Sequence, residues 1–120
     1  MNLEIKLCEH YLSMLEIMKQ VGLEALSLQC WPGLPMVFSH WPYLAVSRLT
    51  MEGKCVSIEG DVDGAIQSLV GSYLGIGPGF LTDWLEHDRS SISLWHPGTA
   101  SLGHLPRHWQ RTWTYLGRSF

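Results

Sequence analysis

Three carboxylates stand within five residues at the end of an apolar segment of this chain. Glu59, Asp61 and Asp63 directly follow the apolar run 55–58 and directly precede the apolar run 65–74. This arrangement predicts a strand that ends in an acidic turn and leads into a helix. In open α/β sheets, ligands bind beyond the carboxyl ends of the strands, so acids at this place suit metal or substrate chemistry. An aspartate before a helix can equally be its N-cap, and the residues alone leave both interpretations open.

A histidine follows a second predicted strand. Residues 91–95 predict this strand, and His96 comes next, followed by Pro97 and Gly98. Imidazole is the commonest neutral metal ligand in proteins, and the proline and glycine would hold the histidine in a fixed turn. Taken alone, the pattern still favours a structural histidine.

The elements that must position these residues alternate between helix and strand. Apolar residues at helical spacing over 7–21 predict a first helix, and alternation over 23–30 predicts a strand that ends in the turn WPGLP at 31–35. A helix with Pro42 in its first turn then leads through Gly53 to a strand at 54–58. A right-handed crossover would make the two strands parallel, so their carboxyl ends would share one pocket.

The second half of the chain continues this alternation. We expect a helix at about 63–74, a glycine-rich turn at 75–79 and a short strand at 80–84. The turn lacks the Lys-Ser/Thr pair of a phosphate-binding loop. We interpret the polar residues 86–88 as a hairpin loop. The whole pattern predicts an α/β fold, a layered unit with a mostly parallel sheet, over residues 1–103.

Composition limits the classes of function. Residues 1–103 carry eleven acidic and five basic side chains, which argues against nucleic acid as a partner. Three cysteines without CxxC spacing favour a reducing, cytoplasmic environment over a disulfide framework or structural zinc. No apolar run approaches the roughly 20 residues of a membrane span, so we expect no membrane partner. Residues 104–120 carry three arginines and no acid, and we expect a divergent, poorly ordered tail.

Five segments together resemble, in this order, motifs of the fucose-isomerase-like family of sugar isomerases. They are QCWPGLP at 29–35, WPYLAVSRLTMEG at 41–53, EGDV at 59–62, FLTDWLEHD at 80–88 and LWHPG at 94–98. The resemblance covers about residues 7–100. Members of that family are several times longer, so it implies a fragment of a larger sugar isomerase. It also implies homo-oligomeric relatives, and we expect this chain to self-associate through apolar faces that a longer protein would cover.

The resemblance implies a metal-dependent aldose–ketose isomerase that acts on a monosaccharide through an ene-diol, with Mn²⁺ or Mg²⁺ as cofactor. Asp61 and His96 would be metal ligands that lie close enough to share the ion, and Asp61 or Glu59 would carry the proton.

The resemblance also implies a substrate pocket lined by Trp31, Asp83 and Trp84. One position departs from the family pattern, because Gly33 stands where the CWPEL-type turn carries a glutamate expected to be a metal ligand and a base. The alternative to an active or partial isomerase is therefore a catalytically inactive remnant or interaction fragment of that family.

Overall fold

The computed structural model describes residues 3–96 and 99–101. In this part of the chain the elements follow the order α1 (Leu3–Val21), β1 (Ala25–Leu28), α2 (Gly33–Phe38), α3 (Tyr43–Met51), β2 (Cys55–Ile58), α4 (Val62–Tyr73), β3 (Asp83–His87) and β4 (Ile92–Trp95). The predicted α/β class, with helices and strands along the chain, is confirmed. The predicted tail at 104–120 lies outside the described residues. None of the helices described is long and apolar enough to cross a membrane.

The parallel pair of strands is the part of the fold that positions the candidate site. Strands β1 and β2 are parallel, with Ala25 opposite Cys55 and Leu28 opposite Ile58. Helix α3 provides the crossover between them, as the sequence predicts. Both strands therefore end at the same edge, and the chain leaves this edge at Gln29 and at Glu59.

The two faces of β2 contact different helices. Val56 and Ile58 belong to a buried core with side chains of α1 and α3, which also pack against each other. The alternating residues Cys55 and Ser57 point to the other face, where α4 packs across both strands. All four residues of β2 are buried, as expected for a strand between two helical layers. The parallel sheet is thus the middle layer of three.

Strands β3 and β4 form a separate antiparallel hairpin, which corrects two predictions. The described strands make two two-stranded sheets and not one mostly parallel sheet. The predicted strand at 80–84 is also misplaced, because β3 begins only at Asp83 and runs through His87. Every residue of both hairpin strands is exposed, so neither face imposes the alternation of apolar and polar residues that marks a half-buried strand. Only Asp88 of the predicted loop 86–88 lies in the turn.

The segment WPGLP, predicted as a turn, contains the start of helix α2. This six-residue helix begins at Gly33 and ends at Phe38, and Ser39 follows in the left-handed conformation. Pro35 falls within the first turn, where its missing N–H would have no partner inside the helix, so the helix tolerates it. A proline-rich motif at the end of a strand therefore masked a short helix.

Candidate active site

A tight turn at the end of β2 sets the position of Glu59. The turn spans 58–61, and the amide of Asp61 donates to the carbonyl oxygen of Ile58 at 3.1 Å. Glu59 has φ of 62° and Gly60 has φ of 72°, the combination of positive angles found in type I′ turns. Glycine adopts this conformation freely, whereas an L-residue pays roughly 1–2 kcal/mol for it. Glu59 is therefore held in a strained backbone conformation at the edge of the sheet.

His96, directly after β4, brings an imidazole to this edge. Its Nε2 lies 3.7 Å from Oε1 of Glu59, and the side chain of His96 is 0% exposed, whereas that of Glu59 is 49% exposed. The separation exceeds a hydrogen bond, and both ring nitrogens of His96 are buried without a hydrogen-bond partner among residues 3–96 and 99–101. Buried polar atoms are nearly always paired, so an orphan imidazole beside a carboxylate indicates a place for a ligand.

Tyr43, the first residue of α3, forms a second wall of the site. Its ring meets the ring of His96 edge to face, with centroids 6.5 Å apart. Its hydroxyl lies 4.0 Å from Sγ of the fully buried Cys30. Burial, followed by the nearby Cys30 thiol and the Glu59 carboxylate, raises the pKa of Tyr43 to about 12. The hydroxyl therefore stays protonated at neutral pH and can donate a hydrogen bond.

Three aromatic rings extend from the site to the surface. Trp31 stacks on Trp41 with centroids 5.6 Å apart, and Trp41 stacks on Tyr43 at 5.1 Å, both with rings inclined by only 16°. Trp31 is 60% exposed and Trp41 is 42% exposed, so two of the three rings present area to solvent. Aromatic walls beside a few polar groups are typical of sites that bind small molecules. This stack borders the Glu59–His96 pair through Tyr43.

Asp61 is the N-cap of α4. Its Oδ1 accepts a hydrogen bond from the amide of Gly64 at 2.9 Å, and its backbone carbonyl accepts one from the hydroxyl of Ser57. The capping interpretation of the acidic cluster is thus confirmed for this residue. A carboxylate has about four acceptor positions, so a single capping bond leaves Asp61 able to accept further hydrogen bonds or to bind a metal ion. The carboxylate that approaches His96 is nevertheless that of Glu59.

The other predicted pocket residues are divided between the site and the hairpin. Trp31 belongs to the aromatic stack. Asp83 pairs with Trp95, the residue before His96, and is exposed. Trp84 is 61% exposed, and its ring meets that of His87 at 5.1 Å on the hairpin. Gly33 is exposed, and a Cβ added there would meet no heavy atom within 4 Å.

Two residues of the site escaped the sequence analysis, namely Trp41 and Tyr43. The available signal was the run of aromatic residues around Pro42, directly before a helix that follows a strand end. The described residues contain no group of three or more His, Cys, Asp and Glu side chains arranged to hold a metal ion. His96 and Glu59 are ligand types for a divalent ion, with Asp61 two residues further along the chain.

The chain matches no protein-family model, no curated protein and no solved structure. Its resemblance to sugar isomerases therefore stays a prediction.

Proposed function

We propose that this chain is a metal-dependent aldose–ketose isomerase of the fucose-isomerase-like kind, in complete or partial form. The observation that carries the proposal is the Glu59–His96 pair at the carboxyl ends of the parallel strands. A strained, half-exposed carboxylate lies 3.7 Å from a fully buried imidazole that has no hydrogen-bond partner in the part of the chain that the structure describes. Folds tolerate strain and unpaired polar atoms chiefly where they serve function.

The proposed reaction moves a proton between C1 and C2 of a monosaccharide while an ene-diol forms. It needs a base near the carbon, a donor at the carbonyl oxygen and positive charge to stabilise the ene-diolate. Glu59 is the exposed carboxylate of the site and would take the proton. Tyr43, which stays protonated, would donate to a substrate oxygen. Trp31 and Trp41 would form the wall against which the sugar ring lies.

By resemblance, His96 and Asp61 would hold a divalent ion, and Glu59 is the carboxylate that lies 3.7 Å from His96. The carboxylate oxygens of Asp61 and Glu59 are ligands of the kind that Mn²⁺ and Mg²⁺ prefer, and His96, whose nitrogens have no hydrogen-bond partner among the described residues, would add an imidazole ligand. When bound, such an ion supplies Lewis-acid stabilisation of the ene-diolate. The residues of the chain would orient the sugar, exclude water from His96 and transfer the proton at Glu59.

A second candidate function is ligand binding without turnover, by an inactive remnant of the same family. Gly33 is the specific observation in its favour, because the resemblance predicts a ligating carboxylate at this position and the position offers only open space. Loss of a catalytic base or acid typically lowers a rate by about 10²–10⁴-fold. The two candidates therefore differ in turnover and agree in the location of the site.

The test measures conversion of aldose to ketose by NMR in D₂O with Mg²⁺, together with Mn²⁺ binding by calorimetry, on the full chain. We expect Glu59→Gln to reduce conversion by about 10²-fold or more. We expect His96→Gln to weaken Mn²⁺ binding. Glu86→Gln and His87→Gln are matched controls on the exposed hairpin and should match the parent chain.

The outcomes separate the two candidates. Conversion by the parent chain that is lost in Glu59→Gln supports the isomerase. Binding of Mn²⁺ and sugar without conversion supports the inactive form. If the parent binds neither, or if Glu59→Gln and His96→Gln behave like their hairpin controls, the site assignment is wrong.

A further inference from the structure

Two histidines from different elements face each other outside the candidate active site. His10 lies on α1, and His40 lies between α2 and α3. Nε2 of His40 is 3.2 Å from Nδ1 of His10, and the ring centroids are 4.4 Å apart. Nδ1 of His10 also lies 3.2 Å from the carbonyl oxygen of Lys6.

The tautomer of His40 follows from a second contact of its ring. Its Nδ1 lies 2.7 Å from the carbonyl oxygen of Phe38, which can only accept a hydrogen bond. Nδ1 of His40 therefore carries the proton, and in the neutral ring Nε2 presents a lone pair toward His10. Metal-binding histidines commonly have this arrangement, in which a backbone carbonyl fixes the nitrogen that does not bind the metal.

The ring of His10 is equally well held. Phe38 meets it edge to face with centroids 4.9 Å apart, and His10 Nε2 is buried with no hydrogen-bond partner among the residues described. In the pair without metal, Nδ1 of His10 donates to Lys6, to His40 or to both. If that proton moves to Nε2, Nδ1 becomes a second ligand. Among the described residues, Nε2 of His10 has no partner in either tautomer. Moving the proton from Nδ1 to Nε2 therefore adds no unpaired buried group when the metal binds Nδ1.

We propose that His10 and His40 form a binding site for a transition-metal ion that prefers imidazole, of the Zn²⁺ class. Zinc–nitrogen bonds are about 2.0–2.1 Å long, so two of them spanning 3.2 Å enclose an angle of about 100°, close to the tetrahedral value. The two nitrogens thus have nearly the separation that adjacent ligands of one zinc ion require.

A groove beside the two histidines would provide the remaining ligand positions. Both histidines line a groove of about 660 Å³ between α1 and the α2 segment, and the groove has room for water or a small anion as further ligands. Lys6 and Glu9 also line this groove, so its nearby charges balance. Two histidines are one protein ligand fewer than an open catalytic zinc site supplies, so water or an anion would complete the coordination. A bound ion would connect α1 to the loop between α2 and α3.

The experiment titrates the full chain with Zn²⁺ in a calorimeter and with Co²⁺ as a visible-light probe of tetrahedral coordination. Loss of even an outer partner of a metal ligand costs about 10–100-fold in affinity, so we expect His10→Gln and His40→Gln each to lose at least about tenfold. His87→Gln and the double change of His104 and His108 to Gln are controls and should leave this affinity unchanged.

The result does not depend on the folding of one variant. His40 is half-buried in a loop, so His40→Gln decides the question if circular dichroism shows that His10→Gln is unfolded. X-ray absorption of the Zn²⁺-loaded parent should show two imidazole ligands, and only one in His40→Gln. The proposal is overturned if the parent binds no Zn²⁺, if His40→Gln binds as the parent does, or if the His104 and His108 controls remove the binding.

Discussion

The strain at Glu59 gives a prediction that separates fold stability from function. We expect Glu59→Gly to be more stable than Glu59→Gln, although both remove the carboxylate. An L-residue at φ of 62° costs roughly 1–2 kcal/mol, and glycine removes this cost. The greater freedom of glycine in the unfolded chain costs about 0.4–1 kcal/mol. The difference predicts a net gain of roughly 0–1.6 kcal/mol for glycine, about 0.8 kcal/mol at the midpoints.

Glu59→Gln is the reference for Glu59→Gly because both variants lose the negative charge of Glu59. The side chain of Glu59 is about half exposed, so its interaction with His96 contributes only about 0–1 kcal/mol, and both variants lose it equally. Urea denaturation monitored by circular dichroism gives the two free energies of unfolding. Ser39→Gly is the matched control, because Ser39 has φ of 59° at the end of α2 and should show a similar gain.

The outcome tests the link between strain and the site directly. If Glu59→Gly is no more stable than Glu59→Gln while Ser39→Gly gains stability, the conformation of Glu59 is not strained. Only the 3.7 Å approach of Glu59 to His96 would then indicate that the fold positions this carboxylate for function. If Glu59→Gly gains stability and also loses Mg²⁺-dependent conversion, the chain exchanges stability for a positioned carboxylate.

Three further predictions concern the metal site, the core and the hairpin turn. Gly33→Glu should strengthen Mn²⁺ binding by at least about tenfold, the size of effect seen when a partner of a metal ligand is changed, whereas Gly33→Ala should leave it unchanged. Equal Mn²⁺ affinities of the two variants in calorimetry would contradict the role assigned to this position. Leu49→Ala should lower the free energy of unfolding by about 3–5 kcal/mol because Leu49 is fully buried. Leu44→Ala, at an exposed position on the same helix, should lower it by at most about 0.5 kcal/mol. Similar losses for both variants in urea denaturation would refute the core assignment. Backbone amides, that of Ser90 first, hold the pKa of Asp88 at about 2, so this contribution to stability is complete above about pH 4 and is lost as the pH falls through about 2. Amide NMR shifts of Ser90 should follow that midpoint, and a midpoint near 4 would contradict the turn.

The sequence predicted the parts of the fold whose residues carry a clear period. The stripe that includes Met14 and Met18 identified α1, and both side chains are buried in the core. The apolar run before Glu59 identified β2, and the helix between the strands implied their parallel pairing, which is confirmed. These elements were predictable because burial on one or two faces imposes a pattern on the residues themselves.

Elements that bury little carried no such pattern. The strand predicted at 91–95 is confirmed by β4 at Ile92–Trp95. Because the hairpin strands are exposed on both faces, neither the bounds of β3 nor the separation of the hairpin from the parallel sheet could be read from periodicity. Helix α2 was hidden by Pro35 and Gly33, residues that mark turns in most contexts.

Residue type and order by themselves determined that carboxylates stand at a strand end and that a histidine follows a later strand. Only the tertiary structure decided which of them meet. Asp61 caps α4 through one carboxylate oxygen, while the left-handed turn directs Glu59 to the place where His96 arrives from the hairpin. Tertiary packing also places Tyr43 against His96, and it brings His40 into contact with His10, 30 residues earlier in the chain. Such contacts depend on how separate elements pack and on the φ angles of single turn residues. The local spacing of residue types determines neither of these.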